Sequence, residues 1–149
     1  MKLFKVAVVA ALVVSASAFA GVVPQYGHGG HGGSGGSGPN SDLSIYQSGS
    51  GNSVLALQSD ARNSDTTIRQ HGSSNGADVG QGSDNSTISL SQNGSRNSAT
   101  IDQWNSRNSD ITVSQFGSRN GALVNQTASD SSVVVRQVGF GNNATANQY

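Results

Sequence analysis

The chain repeats itself five times, and every copy keeps the same four polar residues at the same spacing. The pattern is Ser, five residues, Gln, four residues, Asn, five residues, Gln. Its marks are Ser41, Gln47, Asn52 and Gln58; Ser64, Gln70, Asn75 and Gln81; Ser86, Gln92, Asn97 and Gln103; Ser109, Gln115, Asn120 and Gln126; and Ser131, Gln137, Asn142 and Gln148. Successive copies are offset by 23, 22, 23 and 22 residues. Every Gln of the chain except Gln25 falls on a mark. A period of this length belongs to a solenoid, in which one copy is one turn and buries its apolar face only against its neighbours.

Within a copy the residues alternate with period two, which predicts strands. In Ser109-Asp-Ile-Thr-Val-Ser-Gln115, one face carries Ser109, Ile111, Val113 and Gln115, and the other carries Asp110, Thr112 and Ser114. The segment from Asn to Gln alternates in the same way, with Val54 and Ala56, Ala77 and Val79, Ala99 and Ile101, Ala122 and Val124, and Ala144 and Ala146 pointing inward. Bulky residues on the first strand facing small ones on the second interdigitate across about 10 Å. The second residue of the four between the strands is always Gly: Gly49, Gly72, Gly94, Gly117 and Gly139. A glycine fixed at one turn position implies a positive φ or a corner too tight for a Cβ. The predicted fold is all-β: an uncapped β-solenoid of five strand-arc-strand repeats, with two parallel in-register sheets in a cross-β arrangement. Stacked amides form ladders that satisfy the inward Gln and Asn.

Three segments precede or make up this core. Residues 1–20 read as a secretory signal peptide: Lys2 and Lys5, an apolar run from Val6 to Val14, and the small-x-small site Ala18-Phe19-Ala20, with cleavage between Ala20 and Gly21. Residues 21–40 are a Gly-rich leader, expected to be disordered and to serve as an export or assembly handle. Residues 41–149 hold the repeats, at 41–58, 64–81, 86–103, 109–126 and 131–148.

Composition excludes several functions. Without residues 1–20 the chain keeps six Arg and eight Asp, a formal charge of −2, and has neither Glu nor Cys. No basic patch suits nucleic acid. His28 and His31 lie three apart in the leader without further ligands nearby, so no metal or other cofactor is expected. No base recurs with the Ser marks, so an enzyme is not expected. A monomeric surface-binding module, of ice-binding or adhesin type, is the alternative. The outward file Ser44, Thr67, Ser89, Thr112 and Val134 is small and mostly hydroxylic, but it is single.

The ends carry the functional expectation. No helix, Pro-rich plug or charged edge flanks the first or last repeat, so open strands are expected at both ends. Identical turns then stack head to tail without closing, which makes a filament. The middle repeats carry outward charges (Asp65, Arg69, Asp78, Arg96, Asp102, Asp110 and Arg119), whereas the first has only Asp42 between its marks and the last only Arg136. Such charges are expected to restrain premature aggregation.

The repeat, the signal peptide, the leader after Gly21-Val-Val-Pro-Gln and the closing Gln137-Val-Gly-Phe-Gly-Asn142 together resemble the curlins, the structural subunits of curli fibres in enteric bacteria. The resemblance implies a secreted subunit of an extracellular functional amyloid that serves adhesion, cell aggregation and biofilm matrix. It also implies export through a dedicated outer-membrane channel guided by the leader, restraint by periplasmic chaperones, nucleation by a minor curlin subunit, and binding of host matrix proteins such as fibronectin. The chain departs from the family in its His/Ser/Gly leader and in the turn residues Arg96 and Arg119.

Overall fold

The computed structural model describes residues 12–13, 19–20, 25–26, and 41–149 except Asp60. Ten strands form the repeats: β4 (Asp42–Ser50), β5 (Ser53–Ser59), β6 (Asp65–Ser73), β7 (Gly76–Asp84), β8 (Thr87–Ser95), β9 (Ser98–Arg107), β10 (Asp110–Ser118), β11 (Gly121–Gln126), β12 (Ser132–Phe140) and β13 (Asn143–Gln148). The even-numbered strands β4 to β12 stack in chain order into one parallel sheet, and β5 to β13 stack into the other. Each repeat is therefore one turn, with a strand in each sheet. The register is that of the marks: Gln47 pairs with Gln70, Gln70 with Gln92, Gln92 with Gln115, and Gln115 with Gln137. At about 4.8 Å per rung, five turns stand roughly 24 Å tall.

The period-two pattern becomes the core. Ile68, Ile88, Leu90, Ile101, Ile111, Val113 and Val124 are fully buried between the sheets, with Val54, Ala56, Val79 and Ala99. Removing such aliphatic side chains from water contributes about 1.5–3 kcal/mol each for the larger ones. Turn two departs from the pattern, because Thr66 stands where the other turns have Leu43, Ile88, Ile111 and Val133. Its hydroxyl donates to Gln81 Oε1 at 2.6 Å, which makes it tolerable inside. The core thins at the last turn, where Ala144 and Ala146 are only half-buried.

In the glycine column a positive φ and a tight approach occur together. Gly49, Gly72, Gly94, Gly117 and Gly139 have φ between 109° and 128°. A Cβ on any of the first four would lie 1.8–2.0 Å from the carbonyl oxygen of the glycine one turn on. Other corners use the left-handed region without glycine: Ser74, Arg96 and Arg119 at the arc within a turn, and Asn63, Asn85, Asn108 and Asp130 between turns. That conformation costs a non-glycine residue roughly 1–2 kcal/mol, less for Asn and Asp. Rung hydrogen bonds hold it: Arg96 N donates to Ser73 O at 2.9 Å and Arg119 N to Ser95 O at 3.0 Å.

One rung is irregular. Strand β9 runs on to Arg107 and pairs with β7 through a shift between Gly82 and Asp84. Trp104 there lies against Gly80 and Gly82, and a Cβ on Gly82 would come within 2.1 Å of its ring.

The N-terminal edge modifies the expectation of two wholly open ends. Three short strands, β1 (Leu12–Val13), β2 (Phe19–Ala20) and β3 (Gln25–Tyr26), add in parallel to the first turn. Leu12 and Val13 pair with Tyr46 and Gln47, Phe19 and Ala20 with Ser53 and Val54, and Gln25 and Tyr26 with Gln58 and Ser59. Gln25 and Tyr26 of the leader are strand; apart from the six residues of β1 to β3, residues 1–40, including Gly21, His28 and His31, lie outside the described residues. No helix among the described residues is long and apolar enough to cross a membrane.

Candidate functional site

The repeated polar marks form columns that run the length of the solenoid. In the first Gln column each Nε2 donates to the Oε1 one turn further toward the C-terminus: Gln47 to Gln70, Gln70 to Gln92, Gln92 to Gln115 and Gln115 to Gln137, at 2.7–2.8 Å. The second column does the same from Gln58 through Gln81, Gln103 and Gln126 to Gln148, at 2.8–3.2 Å. The other amide hydrogen goes to backbone, as from Gln92 Nε2 to Gly76 O at 3.0 Å and from Gln103 Nε2 to Ser109 O at 2.9 Å. Gln70, Gln81, Gln92, Gln103 and Gln115 each donate both amide hydrogens and accept at Oε1, which is what lets them sit at near-zero exposure in an apolar slab.

The Asn column runs the opposite way. Asn75 donates from both its backbone N and its Nδ2 to Asn52 Oδ1, at 3.0 and 3.1 Å. Asn97, Asn120 and Asn142 repeat this toward the turn before, while the Nδ2 of Asn52, Asn75, Asn97 and Asn120 also reaches the carbonyl of the next turn's column glycine. The Ser marks add a third column with the Asn polarity: Ser64, Ser86 and Ser109 donate from backbone N to the Oγ of Ser41, Ser64 and Ser86 at 3.2 Å. Ser131, in the last turn, is half-buried, and its Oγ donates to Ser129 O at 2.9 Å.

The sequence marks do not include one further inner column. Ala61, Ser83, Ser106 and Ala128 turn inward at the corner between repeats, and the first three are fully buried. Ser106 Oγ donates to Ser83 Oγ at 3.0 Å. The alternation of five- and four-residue linkers and the mixture of Ala with Ser hide this column from a spacing argument.

At the ends the columns are unfinished. Gln47 Oε1 and Gln58 Oε1 are buried acceptors with no hydrogen-bond partner. They are the positions that a preceding turn's Nε2 would fill. At the other end, Gln137 Nε2 uses one hydrogen on Gly121 O, while Gln148 and Asn142 lie in the least buried turn. Among the described residues no strand pairs with the outer side of β12 or β13. The structure offers little for other chemistry: among the described residues no group of His, Cys, Asp or Glu is placed to hold a metal ion. The charged side chains Asp65, Arg69, Asp78, Arg96, Asp110 and Arg119 are exposed, and Asp102 is half-buried.

The family model of the curlin associated repeat matches residues 38–72, 83–117 and 106–139. The chain belongs to the curlin repeat family. Curated relatives agree with this. Over 83 residues the chain is 74% identical to the major curlin subunit of Salmonella typhimurium (strain LT2), covering 54% of this chain and 55% of the relative. Over 83 residues it is 71% identical to the major curlin subunit of Escherichia coli (strain K12), with the same coverage. The chain thus spans about half the length of the curated relatives it matches. Each matched segment covers one turn of the solenoid and most of the first strand of the next, so the matches run along the columns described above.

Proposed function

We propose that this chain is a structural subunit that polymerises head to tail by β-strand addition into extracellular, curli-type amyloid fibres. The observation that carries the reading is the pair of buried, unpartnered acceptors Gln47 Oε1 and Gln58 Oε1. Strands β1 and β3 pair at Gln47 and Gln58, so in a chain without them both oxygens face the open end as acceptors awaiting a donor. A second copy continuing the register would bring Gln137 Nε2 and Gln148 Nε2 to those oxygens. It would bring Asn142 Oδ1 to the backbone N and Nδ2 of Asn52, and bury Val133, Val135, Ala144 and Ala146 under Leu43, Ile45, Val54 and Ala56. Donor meets acceptor in every column, so the two ends complement each other and not themselves. Such an interface is heterologous and open, and propagates as a filament.

The incoming copy takes the edge occupied by β1, β2 and β3. Two of these lie in residues 1–20, the segment expected to leave on export, so among the described residues the two-residue β3 remains to be displaced. Residues 21–40 act as the export handle in this reading. The chain is secreted, works without a cofactor or catalytic group, and serves adhesion, cell aggregation and biofilm matrix. Its partners are further copies of itself, a minor curlin nucleator, the outer-membrane secretion channel, a periplasmic chaperone, and host matrix proteins such as fibronectin.

Fibre diffraction on residues 21–149 after quiescent incubation at neutral pH tests the reading. The expected pattern has a meridional reflection near about 4.7–4.8 Å and an equatorial one near about 10 Å. A protein that stays monomeric and gives no such pattern would move the function to a monomeric surface-binding module.

A further inference from the structure

The large exposed apolar side chains are unevenly distributed along the solenoid. Turn one has Tyr46 and Leu55, turn four Phe116 and Leu123, and the last turn with its tail Val134, Val138, Phe140 and Tyr149. Turns two and three have none among the described residues. A lateral binding face would be expected to run along the whole sheet. This distribution instead places apolar surface in the first turn and in the last two, with the two end turns being the places that meet in a head-to-tail stack.

The register says what meets what. Strand β12 pairs with β10 so that Arg136 lies beside Ser114, and Tyr46 lies beside Arg69 on β4 and β6, all in one outward column. Continuing that column into a second copy sets Tyr46 of the incoming molecule directly beside Arg136. Val134 and Val138 flank Arg136 two residues away on the same face. Val134 is 71% exposed, Val138 64% and Tyr46 39%. Directly opposed and diagonal neighbours on one sheet face are within reach of an aromatic side chain. A guanidinium with its aliphatic stem is a favourable bed for a phenol ring.

We infer that Tyr46 is a junction residue: in the polymer its ring packs on Arg136 of the neighbouring copy, between Val134 and Val138, and seals the outer face of the seam. The partner this surface fits is a second copy of this chain. The inference rests on the head-to-tail reading and adds to it a contact outside the buried columns. It also accounts for Val134, which breaks an otherwise hydroxylic file of Ser44, Thr67, Ser89 and Thr112 only in the turn that faces the seam.

The test is the concentration of monomer left in solution when fibres of residues 21–149 reach their plateau, measured after sedimentation. Tyr46→Ser and Val138→Ser should each raise it about fivefold, and Tyr46→Phe should stay within about twofold. The double variant Tyr46→Ser/Val138→Ser should rise little beyond the larger single effect, because both changes remove one contact. Unchanged residual monomer in the Ser variants would overturn the inference, as would effects that multiply in the double variant or a Tyr46→Phe value as high as that of Tyr46→Ser. Thinner bundles at unchanged residual monomer would assign these side chains to lateral association instead. Failure of the unsubstituted protein to form fibres would strike the head-to-tail reading itself and is a separate result.

Discussion

At the scale of single residues, the glycine column separates folding from assembly. Gly72 faces the carbonyl of Gly94 at a distance that leaves no room for a methyl group. Gly139 has the same positive φ, but the nearest atom to its would-be Cβ is Asn142 Nδ2 at 3.6 Å. A Gly72→Ala chain should therefore fail to complete its turns and should not join fibres. A Gly139→Ala chain should form its turns at a strain cost of about 1–2 kcal/mol. Docked by its first turn on a growing end, it then presents a methyl where Gly49 O of the next copy must sit. Added at substoichiometric amounts to seeded wild-type protein, Gly139→Ala should slow elongation, and Gly72→Ala should not. Thioflavin fluorescence with counted seeds reads the difference. The marks themselves were legible because three polar residue types recur at four fixed positions, and the column glycines for the same reason. The left-handed Arg96 and Arg119 were not, since nothing in an arginine announces a positive φ. Thr66 follows the alternation inward, but its bond to Gln81 depends on the distance between sheets.

At the scale of the strand and the turn, the alternation within each repeat was sufficient to predict both sheets, because inward and outward positions cannot be exchanged without burying Asp and Arg. The polarity of the amide columns was beyond such reasoning. Which way a Gln points its Nε2 is decided by the backbone carbonyl that takes its second hydrogen, such as Ser53 O for Gln70, and that carbonyl belongs to the other sheet. Strands β1 to β3 were equally hidden, as two-residue pairings carry no pattern of their own. The turns differ in charge although they share geometry. Turn five has only Arg136 between its marks, and turn three has Arg96 and Asp102. Deleting residues 86–108 restores the register by placing Ser109 after Asn85, and removes charge. Deleting 127–149 leaves a charged turn at the growing end. The second deletion should slow fibre formation several-fold more than the first in unseeded time courses. Equal slowing would mean that the middle turns exert no restraint.

At the scale of the whole molecule, the two ends are chemically distinct. One offers unpaired Gln acceptors and the other Gln amides with exposed Asn142, so in the proposed head-to-tail filament every copy would point the same way. The two tips of such a filament would bind monomer through different surfaces. Elongation followed by time-lapse atomic force microscopy on single seeds should show unequal rates at the two tips, and equal rates would argue against uniform subunit direction.

The opposed columns have an electrostatic consequence. In an α-helix all peptide dipoles add, and charge of about half an electron gathers at each end. A fibre built from Gln columns alone would align its side-chain amides in the same fashion, rung after rung. Here the Asn Nδ2 groups donate to the turn before, against the direction of the Gln columns, as well as to the next turn's glycine carbonyl, and the backbone dipoles of the strands contribute little net moment along the stack. The Asn amides therefore offset part of the moment of the Gln amides, and a tip of the proposed stack would carry less side-chain partial charge than Gln columns alone would leave there.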